Sequence, residues 1–176
     1  MKLDDVLTFF DVQHPNLPLI LLGISIGAAT VLDITGVFTN CWIRIGKNCT
    51  GIVPFDSTEP AWLSASSWML FVSIGVMVIM IAAYIVIVIE VLKRGYHFTV
   101  RKWLIFFRLL AVLYLFLIVI SILVFLPNYA TYKRENTPYS GQNEAGWSCW
   151  LTTISIVAIG FIELFAHLAQ RQCIAN

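Results

Sequence analysis

Four long apolar stretches constrain the fold of this chain more than any other feature. They cover about residues 17–34, 65–92, 103–126 and 147–168. Crossing the hydrocarbon core of a bilayer, about 30 Å thick, takes roughly 20 residues of helix. Lipid offers no hydrogen-bond partner to bare backbone, so these stretches are expected to be helices rather than strands. The sequence therefore predicts an all-α membrane protein, a four-transmembrane-helix bundle, with residues 1–176 forming a single four-span domain.

Composition supports a lipid environment. Apolar residues make up 59% of the chain and charged residues 12%. Soluble domains contain about 45–50% apolar and about 25% charged residues, so this excess cannot be buried in a globule of this length. The lipid bilayer is therefore the first expected partner. The net charge of +1 argues against a nucleic-acid partner.

The sequence lacks the usual motifs of catalytic and metal sites. The four cysteines have no C-x-x-C spacing and the three histidines are scattered, which argues against a zinc site. Neither a G-x-S-x-G nucleophile motif nor a glycine-rich phosphate loop occurs. We therefore expect a protein that is not an enzyme and has no catalytic residue, cofactor, metal or small-molecule substrate.

The loop between the second and third stretches sets the expected orientation. Its segment KRGYHFTVRK, residues 93–102, holds four Lys or Arg residues and no acidic residue. Cytoplasmic loops are enriched in Lys and Arg, so this loop is expected in the cytosol, with both termini beside it. An N-x-T glycosylation acceptor at Asn48 agrees, because it requires a luminal or extracellular first loop. These features predict a multi-pass protein of the plasma membrane.

The first outer loop, residues 36–64, carries two of the cysteines. Cys41 and Cys49 are eight positions apart and can close a small ring in an oxidising compartment. Cys149, at the start of the fourth stretch, leaves two alternatives open. It is either an unpaired thiol packed among Trp147 and Trp150, or a competitor for one of the loop cysteines.

The same loop resembles that of a known superfamily. The segment GVFTNC, which begins at Gly36, is similar to the claudin signature G-L-W-x-x-C. The segment PAWL around Trp62 looks like the matching stretch of peripheral myelin and epithelial membrane proteins. With four spans, inside termini and a long first loop, the whole chain resembles this superfamily in topology. The residues that carry the resemblance are Gly36, Val37, Phe38, Cys41, Cys49 and Trp62.

This resemblance implies a small extracellular β-sheet formed by the first loop, with a Cys41–Cys49 disulfide closing a hairpin of two strands. Claudin-type loops carry a Trp before the signature, on the strand that starts the sheet. No residue before Phe38 supplies that Trp. Either the strand is missing, or residues 30–38, TVLDITGVF, serve as helix end and strand together.

The resemblance also implies a function in binding other membrane proteins through the first loop. The ending RQCIAN lacks the Tyr-Val that junction claudins offer to PDZ scaffolds. The first loop also lacks the Trp that precedes the signature in claudins. Both differences favour an accessory or organising subunit of a channel or receptor in the same membrane. The alternative is a cell–cell adhesion or junction protein that binds a like molecule on a neighbouring cell. A small transporter or channel that uses Arg108, Glu163 and His167 is a rival from another class.

Ionisable and reactive side chains near the span ends are further candidates. Arg108 and Glu163 both lie about seven residues, roughly 10 Å, from the cytosolic ends of their stretches. Matching depth predicts an interhelical ion pair, and the alternative is a proton or ion relay that includes His167. Asp33 is expected close to water. Cys173 is either a palmitoylation site or a free reduced thiol.

Small residues in the first stretch predict a close helix contact. Gly23 and Gly27 have GxxxG spacing, which lets two helix backbones approach. The contact is either within the chain or with a second copy.

Asn48 is predicted to carry an N-glycan. An amidase that removes N-glycans should increase the gel mobility of the wild-type chain. Asn48→Gln should abolish that shift, whereas Asn40→Gln, which changes a loop asparagine outside any acceptor motif, should preserve it. A shift that survives Asn48→Gln would contradict the assignment.

Overall fold

The described part of the chain forms four long helices and a small sheet. The computed structural model describes residues 16–45, 48–52, 60–136 and 143–175. Four helices in these ranges are long and apolar enough to cross a membrane, which confirms the predicted membrane fold. In chain order the elements are α1 (Leu17–Phe38), β1 (Ile43–Ile45), β2 (Asn48–Thr50), α2 (Ala61–Arg94), α3 (Phe98–Asn136), β3 (Asn143–Ala145) and α4 (Trp147–Ala175).

The third helix is longer than its apolar stretch. The predicted span, residues 103–126, ends directly before Pro127, whereas α3 continues to Asn136. Proline removes the hydrogen bond to the carbonyl four residues earlier. That carbonyl belongs to Leu123, which lies on an exposed side of the helix. The Asn128 side chain adds a 2.7 Å bond to the Val124 carbonyl, which supports the same turn.

The helices pack side by side through one buried stripe each. The main contacts join α1 to α4, α4 to α3, and α3 to α2. Large apolar side chains also cover the outer faces of all four helices, as expected for surfaces that meet lipid. From the N-terminal end of α1 onward, its buried stripe contains Leu19, Leu22, Ile26, Ala29 and Asp33.

Asp33 lies in the interior, and the expectation that it sits close to water is wrong. Its side chain is 1% exposed. Ser73 Oγ of α2 lies 3.5 Å from its Oδ2 atom. The reason is helical periodicity: Asp33 follows Ala29 by four residues and therefore shares its buried face. Closeness to a helix end does not decide which way a side chain points.

The sheet draws on both outer loops. Its strand order is β2-β1-β3, and both pairs are antiparallel. The first loop supplies β1 and β2, as the resemblance implies, and β3 from the loop before α4 adds a strand that the sequence did not indicate. Residues 30–38 are helical to their end. The described sheet therefore starts at Ile43, and residues 16–35, the described part before the signature, contain no strand.

The three glycines of α1 have different surroundings. A side chain at Gly36 would collide with the Thr152 hydroxyl of α4 and press on the α4 backbone, whereas Gly27 has open space around it. Gly23 lies against the Tyr84 ring of α2. The Tyr84 hydroxyl donates to the Leu19 carbonyl at 3.0 Å. Gly23 and Gly36 thus serve packing within the chain, and Gly27 lies on an exposed face.

Gly36→Ala and Gly27→Ala form a matched pair that tests the contact between α1 and α4. Overpacking at Gly36 should cost about 1–3 kcal/mol of stability. At Gly27 the same change should be neutral or favourable, because Ala is the better helix former by about 1 kcal/mol. Thermal unfolding in detergent measures both. Equal melting temperatures for the two variants would contradict the close approach at Gly36.

Candidate functional site

The disulfide sits where the outer sheet meets the helices. Cys41 and Cys49 are bonded, with 4.7 Å between their Cα atoms. The Cys41 carbonyl accepts the Ser148 amide at 3.2 Å. The next carbonyl, of Trp42, accepts the Gly146 amide at 2.8 Å. The segment that carries the disulfide is therefore held to the start of α4 as well as to β2.

Trp42 closes the outer end of the bundle. Its side chain is fully buried, and its Nε1 atom donates to the Gly36 carbonyl at 2.7 Å. Its ring meets Phe125 of α3 edge-on at 5.2 Å, and Phe125 also meets Trp62 at 5.8 Å. Sequence reasoning missed this role. A Trp next to a disulfide cysteine was the available signal.

The signature residues divide between buried and exposed positions. Gly36 and Val37 are buried at the end of α1. Phe38, which occupies the signature's Trp position, is exposed and meets only the edge of Phe71 at 6.0 Å among the described aromatic contacts. The buried aromatic of this loop is therefore Trp42 rather than Phe38.

A pocket of about 470 Å³ opens between the sheet and the first turn of α4. We call it the outer pocket. Its tryptophans, Trp147 and Trp150, are more than half exposed, and Arg44 of β1 is exposed as well. Aromatic and Arg side chains are the residues that most often anchor protein partners. The outer pocket is lined by Cys41, Arg44, Cys49, Ala145, Gly146, Trp147 and Trp150.

The structure brings Arg108 and Glu163 together between α3 and α4. Arg108 Nε lies 3.0 Å from Glu163 Oε2. A third partner, Gln170, accepts a 3.0 Å bond from Arg108 Nη1, and the sequence did not indicate it. The His167 side chain is exposed. Arg108 therefore binds Glu163 and Gln170 of α4. Glu163 lies four residues before His167, and Gln170 lies three residues after it.

The remaining cysteines are both free. Cys149 is buried, and Cys173 is half-buried near the end of α4. Tyr96, in the loop between α2 and α3, interacts with Cys173. Burial raises the pKa of Tyr96 to about 12, with smaller contributions from Cys173 and Tyr84. This loop therefore lies near the end of α4 and the candidate palmitoylation site.

The glycosylation acceptor and the question of a metal site can each be described only for part of the chain. The Asn48 backbone belongs to β2, an edge strand, but its side chain lies outside the described residues. Within the ranges that the structure describes, no group of three or more His, Cys, Asp or Glu side chains could hold a metal ion.

Fold and site together define a four-span membrane protein with a small, disulfide-bonded sheet. Residues 11–176 match the family model described as "Tight junction protein, Claudin-like". The match covers most of the chain, so the protein belongs to the claudin-like family of tight junction proteins, and the resemblance stated from its first loop is confirmed. Proteins of this family are in general not enzymes. Searches among curated proteins and among solved structures returned no match.

A double-mutant cycle tests the pair of Arg108 and Glu163. Arg108→Gln and Glu163→Gln should each lower the melting temperature in detergent, because each leaves one charge without its partner in a low-dielectric setting. The double variant should lose less than the sum, with a coupling of about 0.5–3 kcal/mol. Additive losses would show that the pair contributes no coupling to stability.

Proposed function

We propose that this protein is a non-enzymatic accessory or organising subunit that binds another protein of the same membrane through the outer pocket. The partner would be a channel or receptor. Claudin-like tight junction membership supports a protein whose work is contact with other membrane proteins.

The position of the outer pocket carries this proposal. Trp147 and Trp150 belong to the first turn of α4, where the helix leaves the apolar layer. Tryptophan is enriched at the boundary between membrane and water. The pocket is thus expected at the edge of the bilayer, beneath the sheet. A segment just outside a neighbouring transmembrane helix would reach it readily.

Pocket chemistry suggests what such a segment contains. Two tryptophan rings favour an apolar or aromatic anchor. Arg44 adds a charge that favours an acidic group beside that anchor. The disulfide of Cys41 and Cys49 forms part of the wall and ties the segment before β1 to β2.

Adhesion between cells is the second candidate, and one observation favours it. Strand β2 lies at the edge of the sheet, and Cys49 and Thr50 on it are exposed. An edge strand offers unpaired backbone groups to a strand from another chain. A like molecule on a neighbouring cell would use this edge rather than the pocket.

Both candidates assume the same orientation. We propose cytosolic termini and a plasma-membrane location, supported by the basic segment between α2 and α3. Epitope tags at either terminus would then bind antibody only after cells are permeabilised.

The pocket is tested with a variant that carries both Trp147→Ala and Trp150→Ala. The control is Trp68→Ala, which removes a tryptophan that is more exposed than either of these two but lies outside the pocket. In mild detergent, the wild type and the control should migrate in a complex larger than the isolated chain, and the double variant should not. Aggregation of two mixed cell populations measures adhesion separately.

Loss of the complex with unchanged cell aggregation would support the lateral role. Aggregation that the double variant retains, with no larger complex formed by any of the chains, would favour adhesion through the β2 edge. An unchanged result in both assays would contradict the pocket as the binding site.

A further inference from the structure

Each helix contributes one polar side chain to a group in the interior of the bundle. We call this group the carboxylate cluster: Asp33 of α1, Ser73 of α2, Tyr114 of α3 and Ser155 of α4. All four side chains are at most 1% exposed. Ser73 Oγ approaches Asp33 Oδ2 at 3.5 Å. The Tyr114 hydroxyl interacts with Asp33 and with Ser155.

The cluster is rich in acceptors and poor in donors. Ser73 has a single hydroxyl proton, and its shorter bond, at 2.7 Å, goes to the Leu70 carbonyl. Ser155 likewise donates to the Thr152 carbonyl at 2.6 Å. Asp33 Oδ1 and the Tyr114 hydroxyl are buried without a hydrogen bond of full geometry. The Ser73 and Tyr114 hydroxyls are therefore the donors that face the carboxylate, and its Oδ1 atom is left without a hydrogen bond of full geometry.

Among the side chains that the structure describes, no basic group balances this carboxylate. Toward Asp33, α2 presents Ser73, and α3 presents Tyr114, with Ser155 of α4 beyond it. Arg108 lies six residues before Tyr114, about 9 Å along the helix axis, and is paired with Glu163. A buried carboxylate without compensation is costly, and acidic residues inside membranes commonly bind protons or ions.

A chain of hydroxyl groups leads from the outer end of the bundle to the cluster. The hydroxyls of Thr39 and Ser148 lie 2.7 Å apart. Thr152 donates to the Ser148 carbonyl at 3.3 Å, and Ser155 donates to the Thr152 carbonyl at 2.6 Å. We call these four residues the hydroxyl seam. Thr39 is half-buried, so the seam reaches from a partly open position to the interior.

We propose that the carboxylate cluster binds one monovalent cation, either a proton or a sodium ion, inside the membrane. One carboxylate carries one negative charge, so a single positive charge neutralises it, whereas a divalent ion would leave an excess buried charge. Carboxylate and hydroxyl oxygens are suitable ligands for a hard cation and suitable acceptors for a proton. Since the oxygens come from four helices, the bound cation stabilises the packed bundle.

The test compares melting temperatures of the purified full chain in detergent. Sodium chloride is replaced by choline chloride at constant ionic strength, and pH is varied separately from about 8 to about 5, a range in which an ordinary aspartate stays ionised. Asp33→Asn removes the charge at nearly constant shape. Glu163→Gln is the matched control, because it removes a half-buried acid of α4 that lies outside the cluster.

At a free cation concentration of about ten times the dissociation constant, binding should raise the melting temperature by about 3–6 °C for a chain of this size. A rise with sodium in the wild type and in Glu163→Gln, absent in Asp33→Asn, identifies a sodium site. A rise on acidification with the same pattern identifies a proton site, since tighter proton binding by the folded state stabilises it as pH falls.

A second measurement covers the case in which Asp33→Asn does not fold. Tyr114→Phe keeps the ring and removes one ligand oxygen, so it should reduce the sodium response. Difference infrared spectra of the wild type between the two pH limits should show a protonated carboxyl band if the ligand is a proton. A wild type that responds to neither cation, or a response that Asp33→Asn retains, overturns the proposal.

Discussion

The contact between α1 and α4 is the interaction on which the outer half of the molecule depends. Gly36 lets the two helices approach, and the hydroxyls of Thr39 and Ser148 meet just above it. The Cys41 carbonyl accepts the Ser148 amide. The segment that leads into the sheet is therefore attached to the contact between α1 and α4. Lipid provides no hydrophobic drive between helices, which leaves close packing and hydrogen bonds to hold this junction together.

Polar contacts of the same kind join the other helix pairs. Ser66 of α2 and Ser121 of α3 each donate to the other's carbonyl, at 3.3 and 3.0 Å. Arg108 and Glu163 join α3 to α4 nearer the other end, and the Tyr84 hydroxyl joins α2 to α1. Water is excluded from the apolar layer, so a polar group there is satisfied inside the protein or not at all. Asp33 stands apart because its Oδ1 atom is buried without a hydrogen bond.

The sequence predicts the features that depend on hydropathy, charge and local spacing. It indicates four helices, a loop disulfide and the equal depth of Arg108 and Glu163. It does not indicate which face of a helix a residue occupies relative to its neighbours, because that follows from packing. For this reason the burial of Asp33 and the role of Trp42 were missed. The strand β3 was missed for another reason: three residues such as Asn143–Ala145 become a strand only because β1 is already beside them.

The outer pocket and the carboxylate cluster share one structural element. Ser148 contacts the segment that carries the disulfide through its amide and Thr39 through its hydroxyl. One and two turns further along α4, Thr152 and Ser155 continue the seam to Tyr114 and the cluster. Packed interiors transmit displacements because they contain little free volume. A change in the spacing between α1 and α4 at the carboxylate cluster must therefore displace the residues of the hydroxyl seam, which lie between the cluster and the pocket wall.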